Sequence, residues 1–92
     1  VDVTGETLSA LRALGEPGRG IIRDAVDLGI AIGDGRLVRL RLDVIPDGRT
    51  GFPVEHVALV PAAARWRVVA GVTLPLFLDR ADPSRLAVDW VA

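Results

Sequence analysis

Cysteine is absent from the chain, and so are lysine, asparagine, glutamine, tyrosine and methionine. Without cysteine there is no disulfide framework, no thiolate metal site and no Cys nucleophile. A single histidine, His56, excludes zinc sites assembled from several imidazoles. The missing residue types fit a GC-rich coding bias, which describes a genome and not a function, and the lack of cysteine leaves the redox compartment open. Aromatic residues make up only 4% while half the residues are hydrophobic, so the core has to be built from Val, Leu, Ile and Ala. A net charge of −1 lacks the basic excess with which domains grip phosphate backbones. Long apolar runs are missing as well. The longest, residues 57–64, is broken by Pro61, stopped by Arg65 and far short of the ~18 residues a membrane span needs. No basic stretch followed by an apolar one opens the chain, so no signal peptide is visible. Val1 stands where a start methionine would, and reads equally as an alternative start or as the cut end of a larger protein.

What is present fits one small domain of 92 residues. Residues 4–14 predict a helix: Leu8, Leu11 and Leu14 share one side of a turn, Thr4 suits the cap, Glu6 the positive end and Gly15 a left-handed stop. Residues 18–32 predict a long strand with Val26, Leu28, Ile30 and Ile32 on its buried face. The paired Ile21 and Ile22 break that phase and imply a bulge. Asp34-Gly35 predicts a tight hairpin into a second strand over 36–45, where Val38, Leu40, Leu42 and Val44 oppose Arg39, Arg41 and Asp43. Further strands are expected over 52–60, 72–78 and 86–91, with a helical turn opened by Pro61 between the third and fourth. This order predicts a mainly β protein: a small five-stranded antiparallel OB-like barrel over residues 16–92, preceded by a helical segment over 1–15. An SH3-like barrel and an open five-stranded sheet are the alternatives.

Certain stretches carry a family resemblance: Gly15-Glu16-Pro17-Gly18-Arg19-Gly20-Ile21-Ile22, Asp27-Leu28-Gly29, Leu37 to Leu42, Val60-Pro61, and above all Leu74 to Asp79 followed by Asp82-Pro83-Ser84-Arg85-Leu86-Ala87-Val88-Asp89-Trp90. Over residues 15–90 the chain resembles uncharacterised small β-barrel modules of actinobacteria that end in an Asp-Pro-Ser-Arg-x-Ala-x-Asp-Trp-type motif. Such modules occur alone, in tandem, beside membrane segments or before an oligomerisation motif. Arg80 replaces the proline usual there, and Ala62-Ala63-Ala64-Arg65-Trp66 replaces a Leu-rich linker. The resemblance implies a fold and no catalytic residue.

Candidate sites follow from the remaining side chains. Asp79, Asp82 and Asp89 lack the spacing of a calcium loop, and Asp82-Pro83 reads as turn chemistry. His56 and Glu55, as strand neighbours, face opposite ways and make no acid–base pair. Ser9 and Ser84 are the only serines for a triad, and both sit in segments with ordinary roles. Neither a metal nor a cofactor is implied, and no enzymatic activity is expected. Trp90 is expected to plug one end of the barrel as part of a structural motif with Asp82 and Pro83. Trp66, between Arg65 and Arg67, is either a contact hot spot or a lid. Arg39 and Arg41 share a strand face, which Arg65, Arg67, Arg80 and Arg85 could extend. A single-strand nucleic-acid groove would need aromatic platforms, and only Phe52 and Phe77 are on offer.

The expected function is a non-enzymatic interaction or scaffold module of unknown protein partner. Self-association through a strand edge or the Trp66 segment, with Trp66, Arg65, Arg67, Arg39 and Arg41 as contact residues, is its concrete form. The alternative is an OB-type ligand or single-strand nucleic-acid binder, against which the charge balance argues. The chain has no membrane span of its own, although a tether in a longer protein is compatible with it. The compartment, cytoplasmic or membrane-associated, stays open.

Overall fold

Apolar residues at every second position make strands, and here they give five. The computed structural model describes residues 6–90. Its elements are α1 (Glu6–Leu14), β1 (Glu16–Ile32), β2 (Gly35–Pro46), β3 (Phe52–Val60), a 3-10 turn (Ala62–Arg67), β4 (Thr73–Leu78) and β5 (Leu86–Val88). Thr4, the expected helix cap, and Val91 lie outside the described residues, and so does the side chain of Glu6. All ladders are antiparallel, in the order β3-β2-β1-β4-β5. This is the mainly β architecture expected. β1 is central and pairs with both β2 and β4, and β3 and β5 form the two edges of the sheet. Among the described residues no ladder joins β3 to β5.

Register assigns the two faces. Val38, Leu40, Leu42 and Val44 of β2 stand across from Ala58, His56, Val54 and Phe52 of β3 on the inner side. Ala25, Ile22 and Gly20 of β1 join them, followed by Leu74, Leu76 and Leu78 of β4 and by Leu86 and Val88 of β5. Ile22, Leu40, Leu42, Leu74, Leu76, Leu78, Val44 and Val60 are almost wholly buried. Each such side chain contributes roughly 1.5–3 kcal/mol on leaving water, which lets an aliphatic core hold a chain this short. The outer side of β4 and β5 is covered by α1. Leu11 and Ala87 are buried there, and the Arg12 guanidinium lies 5.7 Å from the Phe77 ring centroid. Arg12 also pairs with Asp89 at 3.1 Å.

Four local expectations need correction. Gly15 does not end α1 in the left-handed region, since it is not among the glycines with positive φ. It is required by close approach instead, because a Cβ would sit 2.4 Å from the Leu78 carbonyl oxygen and 2.6 Å from that of Leu11. The hairpin is centred one residue earlier than Asp34-Gly35. Ile32 pairs with Gly35, and Gly33 takes the positive φ of 62° at the first loop position, as in a type II′ turn. Leu14 is 79% exposed and does not share the burial of Leu11. Finally, Val26, Ile30 and Ile32 are not buried: they are 39%, 49% and 38% exposed. The predicted bulge is present at Arg23, where the register shifts between Ile22 and Asp24. A second shift between Asp27 and Ala31 had no sequence forecast. There Gly29 adopts a φ of 76° and its N–H donates to Asp27 Oδ1 at 2.8 Å.

Candidate functional site

The exposed aliphatic residues follow from unequal strand lengths. β1 runs for 17 residues, but β4 pairs only with Glu16 to Ile21 at its start. Backbone bonds from Ile22 to Val72 and from Gly71 to Ile22 prolong that contact by one step. From Asp24 to Ile32, β1 ladders only with β2, so its other edge carries unpaired backbone groups among the described residues. Val26 stands beside Arg39 on the outer face, and Ile32 beside Gly35. Leu37 pairs with Leu59 and Arg39 with Val57 on the same face. The far end of the β1–β2–β3 sheet is therefore aliphatic on both sides, whereas a lone antiparallel sheet ordinarily keeps one side polar. α1, which covers the outer side of β4 and β5, does not reach it.

Arg39 and Arg41 occupy this outer face, as expected. They are set among acids: Arg39 reaches Glu55 at 3.2 Å, Arg41 stands between Asp24 and Glu55 in register, and Arg23 Nε meets Asp43 Oδ2 at 2.5 Å. Alternating signs on one surface give no field for a polyanion. Trp66 is 77% exposed on the 3-10 turn, and Val69 beside it is also exposed, so Trp66 is not a lid. Its two neighbours are tied to backbone: Arg65 Nη2 donates to the Asp34 carbonyl at 2.9 Å and Arg67 Nη1 to the Trp90 carbonyl at 3.2 Å. Arg65 lines the inner mouth of the sheet, on the opposite side from Arg39 and Arg41. The arginines named from the sequence therefore do not form one patch.

That mouth is a cleft of about 240 Å3 floored by Ala25, Val38, Val60 and Val68 and rimmed by Asp27, Arg36 and Arg65. Arg36 holds Asp27 bidentately, with Nε at 2.7 Å and Nη2 at 3.2 Å. The Arg36 hydrogen bonds hold the Asp27 carboxyl below its ordinary range, helped by the Gly29 N–H.

The closing motif has architectural contacts. Asp82 Oδ1 accepts from Ser84 Oγ at 2.6 Å and from the Ser84 N–H at 3.2 Å, which makes the corner with Pro83. Asp79 accepts from the Ala81 N–H at 2.8 Å and from Arg85 at 2.9 Å, and these bonds hold its carboxyl below the usual value. Asp89 is buried against Arg12. Trp90 is half-buried and packs on the edge of the core. His56 faces inward across from Leu40 while Glu55 faces outward toward Arg41. Burial lowers the His56 pKa below its ordinary 6.5. Glu16, missed in the sequence, is a nearly enclosed carboxylate held by Arg49, with Arg80 at 3.9 Å. No group of three or more His or acidic residues is arranged to hold a metal among the described residues, and no helix there is long and apolar enough to cross a membrane.

Val26, Ile30 and Ile32 are the residues that sequence reasoning placed on the wrong face. The only signal for them was length: a strand of 17 residues cannot be flanked along its whole edge by one of six. Comparison with protein-family models, with curated proteins and with solved structures finds no match.

Proposed function

We propose that this domain is a non-enzymatic protein-interaction module that associates with a second copy of itself through the far half of β1. The observation that carries this reading is the coincidence there of an unpaired strand edge with exposed Val26, Ile30 and Ile32. Edges of this kind template pairing with another strand unless they are blocked. The bulge at Gly29 interrupts the edge, and the charge of Asp27 beside it is balanced by Arg36. An apolar strip beside it supplies the water-excluding contact that backbone hydrogen bonds need to add affinity. Because both signs of charge alternate along Asp24, Arg39, Arg41 and Glu55, a like surface is tolerated and a strongly charged partner gains nothing. In a twofold pair the same patch serves both copies.

Trp66 belongs to a neighbouring surface. Arg65 ties the 3-10 turn to the hairpin tip at Asp34, so a partner on β1 would lie close to it. Against the nucleic-acid alternative, Arg39 is engaged by Glu55, and the outer strand faces carry no stacking ring beside Arg39 or Arg41. The test is a concentration series by light scattering on the wild type and on the Ile30→Asp/Ile32→Asp double variant. Self-association that the double variant abolishes supports the reading. A wild type that stays monomeric, or a variant that associates equally well, removes it.

A further inference from the structure

From the mouth cleft we propose a second site: a pocket for a small aliphatic carboxylate, held by Arg65 and Arg36 over the valine floor. Three features point to that chemistry. The floor of Ala25, Val38, Val60 and Val68 offers only methyl groups, so the occupant's body is a short branched hydrocarbon. The rim carries two guanidiniums and one carboxylate, a surplus of one positive charge beside an apolar hollow.

The donors are already positioned. Asp27 fixes Arg36 through Nε and Nη2, leaving Nη1 without a hydrogen bond among the described residues. The Asp34 carbonyl fixes Arg65 through one nitrogen, leaving the rest of its fork to donate. Arg65 also lies near enough to Asp27 to act on its charge. Guanidiniums held by prior bonds lose little freedom on binding, and a carboxylate is the anion whose geometry they match. A volume of about 240 Å3 leaves room for a small branched acid.

The carboxylate could belong to a free acid or to the C-terminus of a peptide ending in an aliphatic residue. Both place the same group on the same arginines. The cleft opens on the inner side of the sheet, away from the outer strip used for self-association, so the two proposals fail separately.

The test is an amide-shift titration of the labelled Ile30→Asp/Ile32→Asp protein with 3-methylbutanoate, with an acetylated pentapeptide ending in valine, and with 3-methylbutanol as the uncharged isostere. Saturable, low-millimolar shifts confined to residues around Ala25, Arg36, Val38 and Val68 are expected with the two acids. The alcohol is expected to bind about tenfold more weakly, the worth of a charge-assisted hydrogen bond. Arg65→Ala should lose about the same factor while its spectrum stays folded, and Arg65→Lys should recover part of it. The tighter of the two acids identifies the source of the carboxylate. No saturable shift from either acid up to tens of millimolar, equal binding of the alcohol, or unchanged binding by Arg65→Ala would overturn the proposal.

Discussion

Replacing Gly15 with alanine should be among the most damaging single-methyl additions available in this chain. The added Cβ would sit 2.4 Å from the Leu78 carbonyl oxygen and 2.6 Å from that of Leu11, against a practical minimum of 3.0 Å. One backbone oxygen belongs to β4 and the other to α1, so at least 0.6 Å of movement is needed between elements that the core holds fixed. Leu78 is fully buried and laddered on both sides, to Glu16 and to Leu86. The Gly15 N–H itself donates to the Leu11 carbonyl at 2.8 Å, so a shift that relieves the clash also strains that bond. Overpacking of this kind costs about 2–4 kcal/mol, a large part of the ~5–10 kcal/mol that holds a small domain together. The contrast is Gly29→Ala. Its Cβ would meet nothing within 4 Å, and only the φ of 76° opposes it, at about 1–2 kcal/mol. In urea, with a slope of about 1 kcal/mol/M for a chain of this size, Gly15→Ala should lower the midpoint by roughly 2–4 M and Gly29→Ala by roughly half as much. Sulfate in the buffer keeps the weaker variant measurable. A Gly15→Ala midpoint within about 0.5 M of wild type, or a Gly29→Ala protein less stable than Gly15→Ala, would refute the close-approach argument.

Two further predictions concern pH. Asp27 and Asp79 are held below their unfolded value of 3.8 by their arginine and backbone donors, so the stability they contribute is present above that pH and is lost as pH falls through the lower folded values. Urea midpoints between pH 5 and pH 2 should decline less steeply in an Asp27→Asn/Asp79→Asn variant, and an identical decline would contradict the assignment. His56 is depressed below 6.5 by burial, so stability is complete above that value and falls as pH drops below it, because the unfolded chain takes up the proton first. A histidine titration followed by NMR should give a midpoint under 6.5, and His56→Leu should flatten the stability profile between that midpoint and 6.5. A midpoint at or above 6.5 would show that the ring is not desolvated.

Most of the sheet was legible in residue alternation. Val38 to Val44 read correctly because β2 is flanked by β1 and β3 along its length, and its own Arg39, Arg41 and Asp43 lie on the other side. The closing corner was legible because Asp82, Pro83 and Ser84 make their own local bonds, independent of the rest of the chain. Other features depend on contacts distant in sequence. Gly15 looks like a helix stop until the Leu78 carbonyl is placed beside it. Ile30 and Ile32 alternate like core residues, and alternation cannot reveal that the strand outruns its neighbour. Arg65 looked like part of a basic surface with Arg39. Only the topology separates them, by carrying the 3-10 turn to the inner mouth. The Glu16–Arg49 pair joins the start of β1 to the β2–β3 turn and left no local signal at all.

The claim on which the functional account turns is that the far half of β1 binds a second copy. Sedimentation velocity across a hundredfold range of concentration tests it most directly, run side by side on wild type and Ile30→Asp/Ile32→Asp. The account predicts a sedimentation coefficient that rises with concentration toward a dimer for the wild type and stays at the monomer for the variant. A wild type that remains monomeric throughout, or a variant that dimerises as the wild type does, would contradict it.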